Sequence, residues 1–451
     1  MARTGRSGPT FDYSARRQAL YPRLERGALL LPAAPVRYKN ADSEYRYRPD
    51  SELLYLTGWD QPDAIALIRG FAAEHRFVLF VPKRDAKAEL WSGLRSEPEE
   101  CAERFGADAA YPIDELATRA PALLADASEI WYRLGTSERC DRVVRAALGR
   151  GRARRVREGR GPGLLADPGA LLDGVRAVKD PAEIGCLRHA AEITVEAFRE
   201  ALPLVRGGAG EWEIEAALEG AFRARGADGP AFATIVAAGA NACTLHYAAN
   251  SGRIEEGDLV VVDAGAEFRS YAADITRTVP SSGRLGGIQR DLYGVVLAAR
   301  GAALEVCAPS VELECVHRAA ARVIASGLIE LGVLDSSLDE ALEKRSYRRY
   351  FPHRTSHWLG LDTHDPGPYR PDGELATLLP SMVITVEPGL YFPPDDRDLP
   401  DGLAGCGVRI EDDLLITAAG TEVLTAGLPV EVEGLDELMG GSTAPANPKG
   451  R

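Results

Sequence analysis

The chemistry this sequence offers is concentrated in four carboxylates and a group of histidines in its second half. Asp263 ends the apolar run Leu259-Val260-Val261-Val262, and Asp274 opens Ile275-Thr276-Arg277-Thr278. Both flanks are rich in β-branched residues with turn formers between them, which predicts a hairpin. A turn centred between Phe268 and Arg269 sets Asp263 and Asp274 directly opposite, with Cβ atoms roughly 4.5–5.5 Å apart. Facing carboxylates on an apolar strand repel and need a compensating cation. A slipped register, with one aspartate buried and one exposed, would remove that need.

His353, His357 and His364 lie close together further on. The step from His353 to His357 imitates the helical motif of zinc proteases, but Arg354 stands where that motif needs a glutamate. Pro352 and Gly360 leave little room for a helix. Glu387, after Val383-Ile384-Thr385-Val386, and Glu411, after Gly407-Val408-Arg409-Ile410, each end an apolar run where an unpaired carboxylate is costly. Asp263, Asp274, Glu387 and Glu411 sum to a charge that two divalent ions neutralise. An oxygen-rich set with one imidazole suits manganese, cobalt or iron better than a structural zinc site. His246 is a further candidate, whereas His317, in an Ala-rich helical stretch, reads as structural.

Other elements must hold these groups in place. The first half alternates strand-like runs, such as Ala64–Ile68 and Phe77–Val81, with short helical stretches, the α/β pattern. An Arg/Gly-rich segment, 150–163, reads as a solvated interdomain surface because no aromatic residue interleaves its arginines. Asp180, Pro181 and Glu183 then form a helix start with a capping box, followed by Ile184, Leu187, Ala191, Val195, Phe198 and Leu202 at helical spacing. The domain boundary therefore falls near residue 175. Residues 1 to about 10 and the low-complexity tail 441–451 read as disordered.

The chain has 451 residues, 53 basic and 67 acidic, for a net charge of −14. That length predicts two or three domains. The acidic balance, without a long basic run, excludes a dedicated nucleic-acid binder. Seven scattered cysteines with no CxxC pair predict reduced thiols and a cytoplasmic protein. The longest early apolar run, Ala28-Leu29-Leu30-Leu31, is too short for a signal or a spanning helix, so no membrane partner is expected.

The ordered series Asp263, Asp274, His357, Glu387 and Glu411 resembles the five metal ligands of the pita-bread metallopeptidases, which include methionine aminopeptidase, prolidase and aminopeptidase P. The stretch Asn40-Ala41-Asp42-Ser43-Glu44-Tyr45, continuing to Tyr55-Leu56-Thr57-Gly58-Trp59, is similar to the start of the aminopeptidase P N-terminal domain. Methionine aminopeptidases lack that domain. Ser356-His357-Trp358-Leu359-Gly360 resembles the aminopeptidase P form, although Arg354-Thr355 departs from the Gly-Leu common in the family.

The resemblance implies an α/β N-terminal domain over 1–174 and an α+β pita-bread catalytic domain over 175–440. It implies two divalent metal ions, Mn²⁺ first among them, with Asp263 on one, His357 and Glu387 on the other, and Asp274 and Glu411 bridging. A water held between them would lose a proton and attack the carbonyl before a proline. Glu387 would carry that proton to the leaving nitrogen. His246, His353 and His364 would line the substrate side, Arg409 and Tyr391 would orient carboxylates, Asp42 would hold the substrate's α-amino group, and Trp91 would cap a pocket. The expected partners are peptides with a penultimate proline and further copies of the chain, as a homodimer or homotetramer. Rival readings are a dipeptide-only prolidase, a metal-free creatinase-like enzyme or binding module, and a two-metal phosphoesterase. The last lacks a basic or glycine-rich phosphate cradle.

Overall fold

A computed structural model of the chain describes residues 8–440 apart from Ala73; the tail expected to be disordered, 441–451, and residues 1–7 lie outside the described residues. The chain divides into two compact units, Met1–Val175 and Arg176–Arg451.

The first unit is built on strands that read as nearly unbroken apolar runs: β1 (Gly27–Pro32), β2 (Ile65–Arg69) and β3 (Phe77–Val81), with shorter β4 (Ala109–Pro112), β5 (Glu129–Trp131) and β6 (Leu164–Ala166). They form one mixed sheet in the order β4-β3-β2-β1-β5-β6, antiparallel at β1–β2 and β2–β3 and parallel at the other pairings. Residues from both faces of β1–β3 are buried, the pattern of a sheet covered on both sides. One cover is α1 (Glu138–Glu158), whose Val143, Val144 and Ala147 join the core with Leu30, Leu67 and Phe80.

That helix carries the Arg/Gly-rich stretch, whose arginines are mostly exposed, as expected of a solvated surface. The Arg/Gly-rich stretch from Arg150 is mostly the second half of α1, which runs on to Glu158 and stops at Gly159 in the left-handed conformation. Gly151 is there for packing, since a Cβ would lie 2.4 Å from the carbonyl oxygen of Pro162. Arg154 bonds Ala125 O at 2.7 Å and pairs with Glu158 and Asp126 at 3.1 and 3.3 Å. The arginines therefore decorate and tether a helix.

The second unit opens with α2 (Pro181–Ala201). Its Asp180 cap, Pro181 and Glu183 form the expected capping box, and Leu187, Ala191, Val195 and Phe198 are buried. Strands β7 (Ile235–Ala238), β8 (Leu259–Ala264) and β11 (Ile275–Pro280) form an antiparallel sheet in the order β7-β8-β11. Between β8 and β11, β9 (Ala266–Phe268) pairs with β10 (Tyr271–Ala272). Helices α3 (Gly287–Val306) and α4 (Leu313–Glu330) follow. Strands β12 (Val383–Val386), β15 (Asp412–Thr417) and β16 (Gly420–Val423) make a second antiparallel sheet, with the pair β13 (Gly389–Tyr391) and β14 (Gly407–Arg409) beside it in sequence.

The expected hairpin exists, but its register differs. Phe268 pairs with Tyr271 and Asp263 with Thr276, so the loop is Arg269-Ser270 and Asp263 does not face Asp274 directly. Both loop residues have positive φ, 53° and 69°, the type I′ requirement usually met by Asn-Gly. Asp274 sits two residues from Asp263's partner, so the carboxylates are diagonal neighbours on one face. Gly265 lets the strands pinch together there: a Cβ would fall 1.6 Å from Ala273 O.

Candidate metal centre

Two backbone pairings and one backbone-to-carboxylate bond bring the separated motifs together. The segment around His357 runs beside β12: Thr385 N donates to His357 O at 3.0 Å and Glu387 N to Thr355 O at 2.8 Å. Thr276 and Glu411 form a β-bridge, with Glu411 N donating to Thr276 O at 3.0 Å. Asp274 N donates to Asp413 Oδ2 at 3.1 Å. Side chains scattered over 149 positions of sequence thus converge on one buried patch.

At its centre His357 Nε2 lies 3.6 Å from Asp274 Oδ2, 3.8 Å from Glu387 Oε1 and 3.9 Å from Glu411 Oε1. His357 Nδ1 is 3.0 Å from Trp358 O, so Nδ1 donates to that carbonyl and Nε2 is the nitrogen turned toward the carboxylates. Ligand atoms of Asp274, His357 and Glu411 all lie within 4.8 Å of one another. Asp263 Oδ1 and Asp274 Oδ1 are buried without a hydrogen bond.

The electrostatics match that geometry. Burial, then Asp263, Asp413 and Glu387, raise Asp274 well above the usual carboxylate range. Burial, then Asp274 and Glu387, do the same to Glu411. Burial pushes Glu387 up to about 7 against the opposing pull of His357 and Arg409. Carboxylates this crowded, with bare oxygens and an imidazole nitrogen turned toward them, fit divalent cations.

Arg409 and Tyr391 frame one side. Arg409 Nη2 donates to Asp263 Oδ2 at 2.6 Å, Nε to Thr276 Oγ1 at 3.1 Å and Nη1 to Tyr391 Oη at 2.9 Å. Burial works against the Arg409 charge, but Tyr391, Asp263 and Glu411 hold its pKa high. His353 Nε2 lies 2.9 Å from Tyr391 Oη, and Nδ1 lies 2.8 Å from Arg354 O. Burial, then Arg409, lowers His353 to about 4, so its ring is neutral and both nitrogens are engaged in this arrangement. His364 meets His357 edge-on with ring centroids 4.5 Å apart. Partial burial of its ring, with His357 and His246 beside it, lowers the His364 pKa.

The remaining expected residues are in the first unit. Asp42 is exposed in the turn between Tyr38–Asn40 and Ser43–Glu44, and Trp91 is 84% exposed in the helix Ala86–Ser92. His317 is structural as expected: it is buried, 2.9 Å from Thr355 Oγ1, with its pKa lowered to about 4 by burial.

A family model for metallopeptidase family M24 matches residues 185–418, and one for the aminopeptidase P N-terminal domain matches residues 13–131. A Xaa-Pro aminopeptidase of Escherichia coli is 38% identical, over 95% of this chain and 97% of its own. The chain belongs to metallopeptidase family M24. Its second unit is the family's pita-bread catalytic domain and its first an aminopeptidase P N-terminal domain. Among solved structures, the aminopeptidase PepP of Pseudomonas aeruginosa aligns with a TM-score of 0.90 at 40% identity, covering 95% of this chain and 97% of that one. Xaa-Pro aminopeptidase 1 of Streptomyces coelicolor is 34% identical over 95% of this chain and 87% of its own. M24 membership and the Asp274–His357–Glu411 group together imply divalent metals.

Sequence reasoning missed the layer behind these groups. Thr276 Oγ1 donates to Glu411 Oε2 at 2.7 Å while accepting from Arg409. Arg277 donates to Glu411 O at 2.7 Å and to Asp412 Oδ1 at 2.8 Å. The available signal was charge inside apolar strands: Arg277, Asp412 and Asp413 interrupt otherwise β-branched or aliphatic runs.

Proposed function

We propose that the chain is a metal-dependent aminopeptidase that releases the N-terminal residue from peptides with proline at the second position. One observation carries the reading: His357 Nε2 faces Asp274, Glu387 and Glu411 beside two carboxylate oxygens, Asp263 Oδ1 and Asp274 Oδ1, that no donor among the described residues satisfies. In this reading Asp263, Asp274, His357, Glu387 and Glu411 would hold two divalent cations, Asp263 serving one, His357 and Glu387 the other and Asp274 and Glu411 both, with Mn²⁺ as the physiological metal. When bound, two such cations acidify a water and polarise the scissile carbonyl.

The chain's own residues do the rest. Glu387, pushed up by burial, takes the water proton and delivers it to the leaving proline nitrogen. That nitrogen belongs to a tertiary amide with no N–H, so it has to be protonated as it leaves. Arg409 fixes Asp263 and, through Tyr391, the neutral His353. His246 and His364 face the substrate and bond the scissile carbonyl or the next residue, and His353, its nitrogens engaged by Tyr391 and Arg354, lines the same side. Asp42 and Trp91 serve the α-amino group and the pocket rim in a homodimer or homotetramer, Trp91 at a neighbouring subunit. The seven free cysteines support a cytoplasmic setting.

Metal analysis coupled to a peptide panel tests this. Xaa-Pro-Yaa and longer peptides are cleaved with added Mn²⁺, chelator abolishes turnover, and the dipeptide Xaa-Pro is a poor substrate. Cleavage of the dipeptide alone would make the protein a prolidase, and turnover unaffected by chelation would sink the metal reading.

A further inference from the structure

His364 is exposed and its ring makes no hydrogen bond among the described residues. Its edge contact with His357 leaves the backbone to decide where it points. That backbone is anchored by its neighbour. The Asp365 side chain is 1% exposed, and its Oδ1 accepts from Arg176 Nη2 at 2.6 Å and from the Asp362 N–H at 3.1 Å. Its Oδ2 accepts from Lys179 Nζ at 3.1 Å, and its own N–H donates to Trp358 O at 2.9 Å. Arg176 also reaches Asp362 Oδ2 at 2.8 Å. The loop folds directly over the carboxylate: a Cβ on Gly360 would lie 2.6 Å from Asp365 Oδ2.

Arg176 and Lys179 side chains are 3% and 0% exposed, so two cations and one carboxylate are taken fully out of water. Such a cluster is weak as a source of stability, because well-packed apolar residues do as well. What it supplies is a fixed geometry, since every Asp365 oxygen is tied to a group elsewhere in the chain. Both cations precede residue 185, where the M24 match begins.

We propose that Asp365, clamped by Arg176 and Lys179, is the positioning residue for His364. It touches no substrate. It closes the loop from Trp358 to Asp365 so that the His364 ring stands against His357 at the substrate side. This rests on the aminopeptidase reading above.

The test is a double-variant cycle on the metal-loaded enzyme with a Xaa-Pro-Yaa tripeptide. Asp365→Asn is expected to lower kcat/KM about 10- to 100-fold with bound metal unchanged. Asp365→Asn combined with His364→Ala is expected to match His364→Ala alone within about threefold, because the two act as one unit. Losses that multiply in the double variant, or an Asp365→Asn enzyme with full activity, would overturn the proposal. Should Asp365→Asn fail to fold, Lys179→Met removes one partner and enters the same cycle with the same two outcomes. The ¹⁵N-histidine spectrum gives a readout independent of turnover. Asp365→Asn or Lys179→Met must shift or broaden the His364 imidazole signals and leave those of His246 in place, and unchanged His364 signals would overturn the assignment. Failure of the unsubstituted enzyme to cleave the tripeptide would refute the aminopeptidase reading, with the spectrum still deciding the positioning.

Discussion

Among the described residues, the buried charged side chains of the first unit are Arg16, Arg17 and Glu52, whereas the catalytic unit buries ten carboxylates. The same contrast runs through the net charge. Residues 1–175 hold 28 basic and 25 acidic side chains, for +3, and residues 176–451 hold 25 and 42, for −17. In the first unit the buried guanidiniums serve packing. Arg16 bonds Tyr55 O and stacks on the Tyr55 ring, and Arg17 bonds Leu56 O and Gly106 O above Phe77. In the catalytic unit the buried carboxylates fall into two kinds. Glu211 accepts from Ala238 N, Asn241, Tyr247 and Gly252 N, and Asp412 from Arg277, Arg300 and Thr425. Among the described residues, Asp263 and Asp274 each keep an oxygen that no donor satisfies, as does Asp413 behind Asp274. Glu211 and Asp412 thus serve the fold with their donors in place, and Asp263 and Asp274 are left short of theirs at the site.

Substituting one of each kind would break that contrast most directly. Asp274→Ala or His357→Ala should cut kcat/KM on Xaa-Pro-Yaa by on the order of 10³-fold or more, with metal content lost. Thermal unfolding without metal should hardly change for Asp274→Ala, because a repelling charge is removed. Glu211→Ala should instead strand its four donors and lower stability by a few kcal/mol. Equal destabilisation by both would erase the distinction.

The structural kind has a second test in Arg277, whose side chain is fully buried. Arg277→Met leaves Asp412 with one cation and frees the carbonyls of Glu411, Leu428 and Pro429. Urea unfolding of the catalytic unit should register a loss of about 3–5 kcal/mol, as for other broken buried pairs. The first unit's own transition should stay where it was.

The cation-serving kind also makes a pH prediction. The Glu387 carboxyl lies near 4.5 in the unfolded chain and is pushed up to about 7 in the fold, and Asp274 and Glu411 are raised as well. Between those values these three carboxyls hold more protons in the folded chain than in the unfolded one, so their contribution to stability falls as pH rises, while His353 and His317, lowered to about 4, act in the opposite sense. Relative to a Glu387→Gln variant, chelator-treated protein should therefore lose stability between pH 4.5 and pH 7, read as the difference in urea midpoints, and saturating Mn²⁺ should flatten or reverse that difference. A chelated protein that gains stability relative to that variant across the window would show that the carboxylates are not strained by one another.

How far the sequence reveals this arrangement depends on the range of the forces involved. Asp180, Pro181 and Glu183 announce α2 because a capping box is local. Asp263, Asp274, Glu387 and Glu411 stand out because charge at the edge of an apolar run is anomalous wherever the fold places it, and His357 because three histidines fall so close together. The hairpin register is not legible, because Arg269-Ser270 adopts a turn whose usual sign is Asn-Gly. The helix through Arg150 is hidden by its glycines, one of which exists only to let Pro162 approach. Arg277 with Asp412, and Arg176 and Lys179 with Asp365, pair across 135, 189 and 186 positions, distances over which no local pattern operates.

The smallest stability effect belongs to Trp91, and it carries the comparison back to the first unit. A tryptophan that is 84% exposed buries little apolar area, so Trp91→Ala should change unfolding free energy by no more than about 0.5 kcal/mol. Leu90 and Leu94, near it in sequence, are exposed as well, at 81% and 68%, and a cluster of exposed apolar residues marks an interaction surface. If a neighbouring subunit's substrate pocket covers Trp91, Trp91→Ala raises KM for Xaa-Pro-Yaa several-fold and leaves kcat and metal content unchanged. Diluting the unsubstituted enzyme until it dissociates should then reproduce the higher KM, and the Trp91→Ala enzyme should show no such dependence on concentration. A KM indifferent to both the substitution and dilution would leave the first unit with packing alone to account for its charges and rings, and the catalytic unit with the whole of the substrate site.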